Sequence, residues 1–311
     1  MSADAFTGRQ LARDRAVANP PGEHVRSFLT SVKLGYLTEA NWTDPFLFFI
    51  YSVAKPVAAA LILVVMLQVV GGSASAQYRS FVVIGTAFWT LVQIGITGMS
   101  YAVLDDRERY RMLKYVYVSP SEFLVVLVGR GVSRLLIGIS GAVITLGIGV
   151  VLLGVPFDPF TIDWPVLLVT IVIGLAATLG LGLFMGAVCL QTRQESWSYP
   201  EAFAGALFLF SGAVFPIAIL PQPLQAVALV NPLAWWIDGA RRAFDAAAPS
   251  SIGGAGSLFQ ALTGQVTPGT GLLLVSLLLT GAVVTLAAAV VFRLSSRRAK
   301  ERGLLDRTTG S

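Results

Sequence analysis

The chain has 311 residues, of which 55% are hydrophobic and 13% charged, with a formal net charge of +5. A soluble domain carries about twice that charged fraction to cover its apolar surface, so the composition excludes an ordinary soluble fold and makes lipid the solvent. In that setting the excess of Lys and Arg marks the cytoplasmic side of a membrane and not a nucleic-acid surface.

The first 45 residues are mixed polar and charged, without an early apolar core before a small-residue cleavage site. The N-terminus is therefore expected to stay attached, with 1–22 as a cytoplasmic tail. Across 23–45, Val25, Phe28, Leu29, Val32 and Tyr36 recur at helical spacing, with Arg26, Lys33 and Glu39 on other faces. That pattern predicts an amphipathic helix in the membrane interface; the alternative is a helix packed on another protein domain. Six apolar stretches of spanning length follow, at 46–70 (interrupted by Lys55 and Pro56), 80–104, 135–153 with a half-apolar lead from Ser121, 164–190, 202–220 (broken by Pro216) and 271–292. Residues 46–293 are thus expected to form one all-α, six-helix membrane domain, and 294–311 a basic cytoplasmic tail.

Of the 22 Lys and Arg, sixteen lie in 1–45, 105–120, 191–201 and 293–311, the cytoplasmic parts if the N-terminus is inside; the external parts hold Arg79, Arg241 and Arg242. This bias predicts a multi-pass protein of an inner membrane with both termini cytoplasmic. Arg130 and Arg134 share a helix face. A helix from 121 to 153 would be about 50 Å long, beyond a hydrocarbon core of ~30 Å, so both are expected to snorkel to lipid phosphate.

Absences narrow the function. No Asp or Glu lies within the six stretches, which argues against a proton-coupled carrier. There is no G-x-x-x-x-G-K-[ST] and no Gly-Lys pair, so the chain lacks a phosphate-cradling loop of its own, and no G-x-S-x-G elbow is present. With one cysteine, Cys189, and one histidine, His24, neither a disulfide nor a Cys/His metal site is expected, and no catalytic residue is assigned.

Two segments carry more information. The connection after the second span, 105–120, reads DDRERYRMLKYVYVSP: it mixes charges of both signs with tyrosines, is helix-compatible, and closes at Ser119-Pro120. The stretch 211–242 carries Ser211-Gly212, Phe215-Pro216, Leu220-Pro221, Pro223, Asn231-Pro232, Trp235-Trp236, Asp238 and Arg241. Its prolines forbid one straight helix. A span ending near Pro216, then short helices dipping into the outer leaflet, with Trp235 and Trp236 in an interfacial belt, is the consistent reading.

Together the segments resemble the ABC-2 permeases, the membrane subunits of type V ABC exporters, such as exporters of the daunorubicin-resistance type. The loop resembles the family's Arg/Glu-rich run through Arg107-Glu108-Arg109, Leu113-Lys114 and Ser119-Pro120. It departs at Arg111-Met112, where many members have Gly-Thr. The resemblance implies two ATPase subunits, which bind ATP and Mg, docked beneath two permease subunits, identical or paralogous. It implies that 105–118 is a coupling helix, with Arg107, Glu108, Arg109, Tyr110, Leu113 and Lys114 engaging the ATPase. It also implies an external gate at 213–230, including Phe215, Pro216, Leu220 and Pro221. Substrate is expected to pass along spans one, two and five, where Phe208, Gly212 and Phe215 fall on one face of the fifth; helix packing is the alternative for that stripe, and the reading for Gly182 and Gly186 on the fourth. The expected cargo is a hydrophobic drug or antibiotic, with a lipid or lipid-linked glycan as the alternative; a secondary transporter and a non-transporting scaffold are weaker readings.

Overall fold

The computed structural model of the chain describes residues 21–40, 75–118, 122–192, 197–245 and 248–303, with isolated positions between 44 and 69. The expected first span, 46–70, falls largely outside the described residues. Every described element is helical: α1 (Pro21–Ala40), α2 (Ser75–Leu104), α3 (Leu113–Val118), α4 (Phe123–Leu153), α5 (Trp164–Gln191), α6 (Ser198–Leu209), α7 (Gln222–Val230), α8 (Pro232–Phe244), α9 (Leu258–Thr263) and α10 (Thr270–Glu301).

Four of these, α2, α4, α5 and α10, are long and apolar enough to cross a membrane, and they cover the expected second, third, fourth and sixth spans. Local chemistry sets their ends. Gly154 takes the left-handed conformation (φ 63°) that closes α4. The Asp163 carboxylate accepts from the Val166 amide and Pro165 occupies the first turn, which starts α5.

The fifth expected span is corrected by the structure. Its helix, α6, stops at Leu209 after 12 residues and does not reach Pro216. That length is about 18 Å, short of a ~30 Å hydrocarbon core. The stop is local. Ser211 turns its hydroxyl back to the Phe208 carbonyl, and Gly212 follows at φ +66°. A 3-10 turn (Ile217–Ile219), α7 and α8 then fold the chain back against the bundle.

The helices pack in the order α1, α4, α2, α5, α10, with α6 and α8 also against α2. α2 is central and mostly buried, whereas α10 leaves Leu279, Val283, Leu286 and Val290 open. Such an outer face suits lipid or a second protein surface rather than water. α2 and α5 approach closely: a Cβ on Gly182 would sit 2.9 Å from the Gly95 carbonyl oxygen, and one on Gly95 would collide with Thr178. α1 lays Ser31 and Gly35 on α4, where a Cβ on Gly129 would lie 2.8 Å from that of Ser31, and leaves Val25, Leu29 and Tyr36 exposed. It therefore has one small-residue face for the bundle and one apolar face that nothing in the described chain covers.

Candidate functional site

The polar side chains concentrate at the two ends of α2. Phe81 and Asp105 are 24 positions apart, which sets the ends roughly 36 Å from each other along the helix.

At the Asp105 end, α2 widens into a π-turn, Asp105–Arg109. The Tyr110 amide donates to the Asp105 carbonyl (2.8 Å) and the Met112 amide to that of Asp106 (2.8 Å). Arg111 then takes φ +51°, the one left-handed non-glycine residue among those described. This break separates the π-turn from α3, so 105–118 is not the continuous helix expected from sequence. A run of charged residues continues the helix here because each inward charge finds a partner. Asp106 pairs with Arg130, and Asp105 with Arg134 at 3.8 Å. The two arginines thus bind carboxylates of α2, which corrects the expectation that they reach lipid phosphate: they point across to the neighbouring helix.

Arg107 and Glu108 turn inward as well. Arg107 Nη1 donates to the carbonyls of Cys189 (2.8 Å) and Thr192 (3.0 Å), two acceptors at the C-terminus of α5. Its Nη2 meets Glu108 Oε1 at 2.6 Å, and Glu108 Oε2 accepts from Trp197 Nε1, just before α6, at 3.0 Å. These two residues form a latch tying α2 to α5 and α6. Leu113 is 1% exposed and packs with Phe123, Leu127 and Leu190, anchoring α3. The outward surface comes from Arg109, Tyr110, Arg111, Met112 and Tyr115, the last 66% exposed, with the Arg109 guanidinium 5.6 Å from the Tyr110 ring centre. The side chain of Lys114 lies outside those described.

At the Phe81 end, α8 starts at Asn231, whose side chain accepts from the Leu233 amide, with Pro232 in its first turn. It inserts between α2, α5 and α10, so Trp235 and Trp236 are buried and not in an interfacial belt. Trp236 lies edge-on to Phe88, over Gly174, where any Cβ would strike the indole. Arg241, expected in an external loop, is 0% exposed. Its Nε donates to the Phe81 carbonyl (3.0 Å), its Nη2 to that of Ala213 (2.6 Å), and its guanidinium stacks 3.5 Å from the Phe81 ring centre. Asp238 accepts from the Ser250 and Ser251 hydroxyls and the Ser251 amide, and pairs with Arg242 at 3.6 Å.

The expected gate residues are dispersed. Phe215, Pro216 and Leu220 are half-buried and Pro221 is exposed, along the turn after α6. Gln225, unremarked in the sequence, fixes that turn: its side chain donates to the Ala218 and Leu220 carbonyls (3.1 and 2.7 Å) and accepts from the Leu258 amide. Phe208, Gly212 and Phe215 do not form a stripe on one helix, since α6 ends first. Phe208 packs on Trp89 of α2 (4.7 Å between ring centres), and Gly212 is buried against Ser251.

This arrangement, a helical bundle with a broken charged connection after α2 and a proline-rich return packed on it, can be set beside known proteins. The family model described as ABC-2 type transporter matches residues 32–244, most of the chain. The chain belongs to that family. It is also similar to the probable multidrug ABC transporter permease YbhR of Escherichia coli (strain K12), at 28% identity over 139 residues, 45% of this chain and 36% of that relative. The protein of the same name from Escherichia coli O157:H7 matches to the same extent. The match thus spans about a third of the relatives' length.

Proposed function

We propose that the chain is the membrane-spanning subunit of an ATP-driven exporter that carries hydrophobic small molecules out of a bacterial cytoplasm or inner leaflet. Family membership supports this; the sequence holds no phosphate-binding loop, and in this reading an ABC ATPase that binds ATP and Mg supplies the energy. In this reading two ATPase subunits serve two permease subunits, identical or paralogous, in the inner membrane, with both termini cytoplasmic.

The observation that carries the reading is the Asp105 end of α2. A short helix, α3, is anchored by buried Leu113 and presents Met112 and Tyr115 outward. The latch of Arg107 and Glu108 joins the same turn to α5 and α6. A push on α3 is thereby delivered to three elements as a rigid-body displacement. Arg109, Tyr110, Met112, Tyr115 and Lys114 take the role of contacting the ATPase, and Arg107, Glu108 and Leu113 that of transmitting its motion. Phe215, Pro216, Leu220 and Pro221 form the gate at the far end, held by Gln225. Cargo passes along the seam between α2 and α6, beside Phe208.

The test is the ATPase activity of the complex reconstituted with its partner. Tyr115→Ala with Met112→Asp should remove permease-dependent stimulation while leaving membrane yield unchanged, since both side chains are exposed. Full stimulation in that double variant would refute the docking role.

A further inference from the structure

The seam between α2 and α6 holds a carboxylate at a depth where the sequence reading placed none. The two helices run antiparallel, as three successive contacts show. Tyr101 meets Trp197 (5.8 Å between ring centres), Gln93 and Tyr101 both donate to Glu201 (3.2 and 3.3 Å), and Trp89 meets Phe208. Glu201 bridges Gln93 and Tyr101, so it lies level with about Thr97, roughly 12 Å along α2 from the charged turn at Asp105. No charged residue occurs in α2 between those levels.

Glu201 is exposed, and no Lys or Arg among the described residues pairs with it. An uncompensated carboxylate beside a membrane span is costly and marks a site that something else completes. The surroundings define that complement. Trp197, 42% exposed, and the Tyr101 ring flank the carboxylate on one side. On the other, Gly205, one turn on, leaves open space where a side chain would stand, and Phe208, about a turn further, lies against Trp89 of α2. A carboxylate attracts a cation, indole and phenol faces attract it further, and the open face at Gly205 beside the Phe208 and Trp89 rings leaves room for a hydrocarbon body.

We propose that Glu201, Gln93, Tyr101 and Trp197 form a binding site for lipophilic organic cations, with the charged centre at Glu201 and the apolar body toward Gly205 and Phe208. This rests on the exporter reading for its place in transport but not for binding itself.

Equilibrium binding of radiolabelled tetraphenylphosphonium to the purified permease in nanodiscs, corrected with empty nanodiscs, tests it. Wild type and Glu201→Asp should bind the cation, and Glu201→Gln should weaken binding roughly tenfold or more. Neutral triphenylphosphine oxide should show no dependence on residue 201. Absence of specific cation binding in wild type, equal affinity in Glu201→Gln, or parallel loss of both probes would overturn the site. ATP-driven uptake of the same cation into inside-out vesicles carrying permease and ATPase separates the two claims. Binding that depends on Glu201 without uptake sinks the exporter reading and keeps the site. Uptake that is indifferent to Glu201→Gln keeps the exporter reading and takes Glu201 out of the transport path, while the nanodisc assay decides the binding site.

Discussion

Arg241→Lys preserves charge and most of the length of the side chain, yet the geometry makes it a severe change. The guanidinium reaches two carbonyls on different segments, Phe81 of α2 and Ala213 in the turn after α6, and sits 3.5 Å over the Phe81 ring centre. A lysine ammonium has no planar fork and can satisfy only one of the two carbonyls. Losing one charge-assisted hydrogen bond costs about 1.5–3 kcal/mol, and the carbonyl left behind stays buried. Loss of the stacked cation adds about 1–2 kcal/mol. The sum is about 3–5 kcal/mol. Arg242→Lys is the same chemical change one residue on, at a side chain 19% exposed whose 3.6 Å pairing with Asp238 an ammonium can also make, and should cost below about 1 kcal/mol. Unfolding of the purified protein in mixed micelles over an SDS titration, followed by circular dichroism, reads both. If the two variants unfold at the same SDS fraction, or Arg241→Lys loses less than about 1 kcal/mol, the clamp is not what joins these segments.

Two further outcomes are expected. Gly174→Ala should destabilise by about 3 kcal/mol in the same assay, because its methyl meets the Trp236 ring, whereas Gly147→Ala, with open space around it, should be neutral or slightly stabilising. In a Cys189→Ser background, a cysteine at exposed Ala255 should react with a membrane-impermeant maleimide in intact cells and one at Arg302 should not; the reverse pattern would invert the proposed orientation.

The four long helices were legible because an uncharged run of spanning length has few other readings. The two ends of α2 were legible as places but not as structures. Mixed charges at 105–111 suggested a docking helix; which of them face inward depends on Cys189, Thr192 and Trp197, far away in sequence. Trp235, Trp236 and Arg241 read as interfacial or external because hydropathy records composition and not whether the neighbour is lipid or protein. The early stop of α6 did have a signal, since Ser211-Gly212 is a helix terminator that was passed over in favour of Pro216. By hydropathy alone Glu201 falls in the connection 191–201, a few residues short of the apolar run. Ser198, Pro200 and Glu201 are the residue types of a first helical turn, and reading them so would have moved the carboxylate onto α6.

The crossing of α2 and α5 sets a mechanical limit. With Gly182 against the Gly95 carbonyl and Gly95 against Thr178, the two backbones meet so closely that sliding one helix along the other would bring larger side chains into the contact. α5 in turn carries α10. Close packing along this axis favours movement of α2, α5 and α10 as one block, with opening at the seams around it rather than through it.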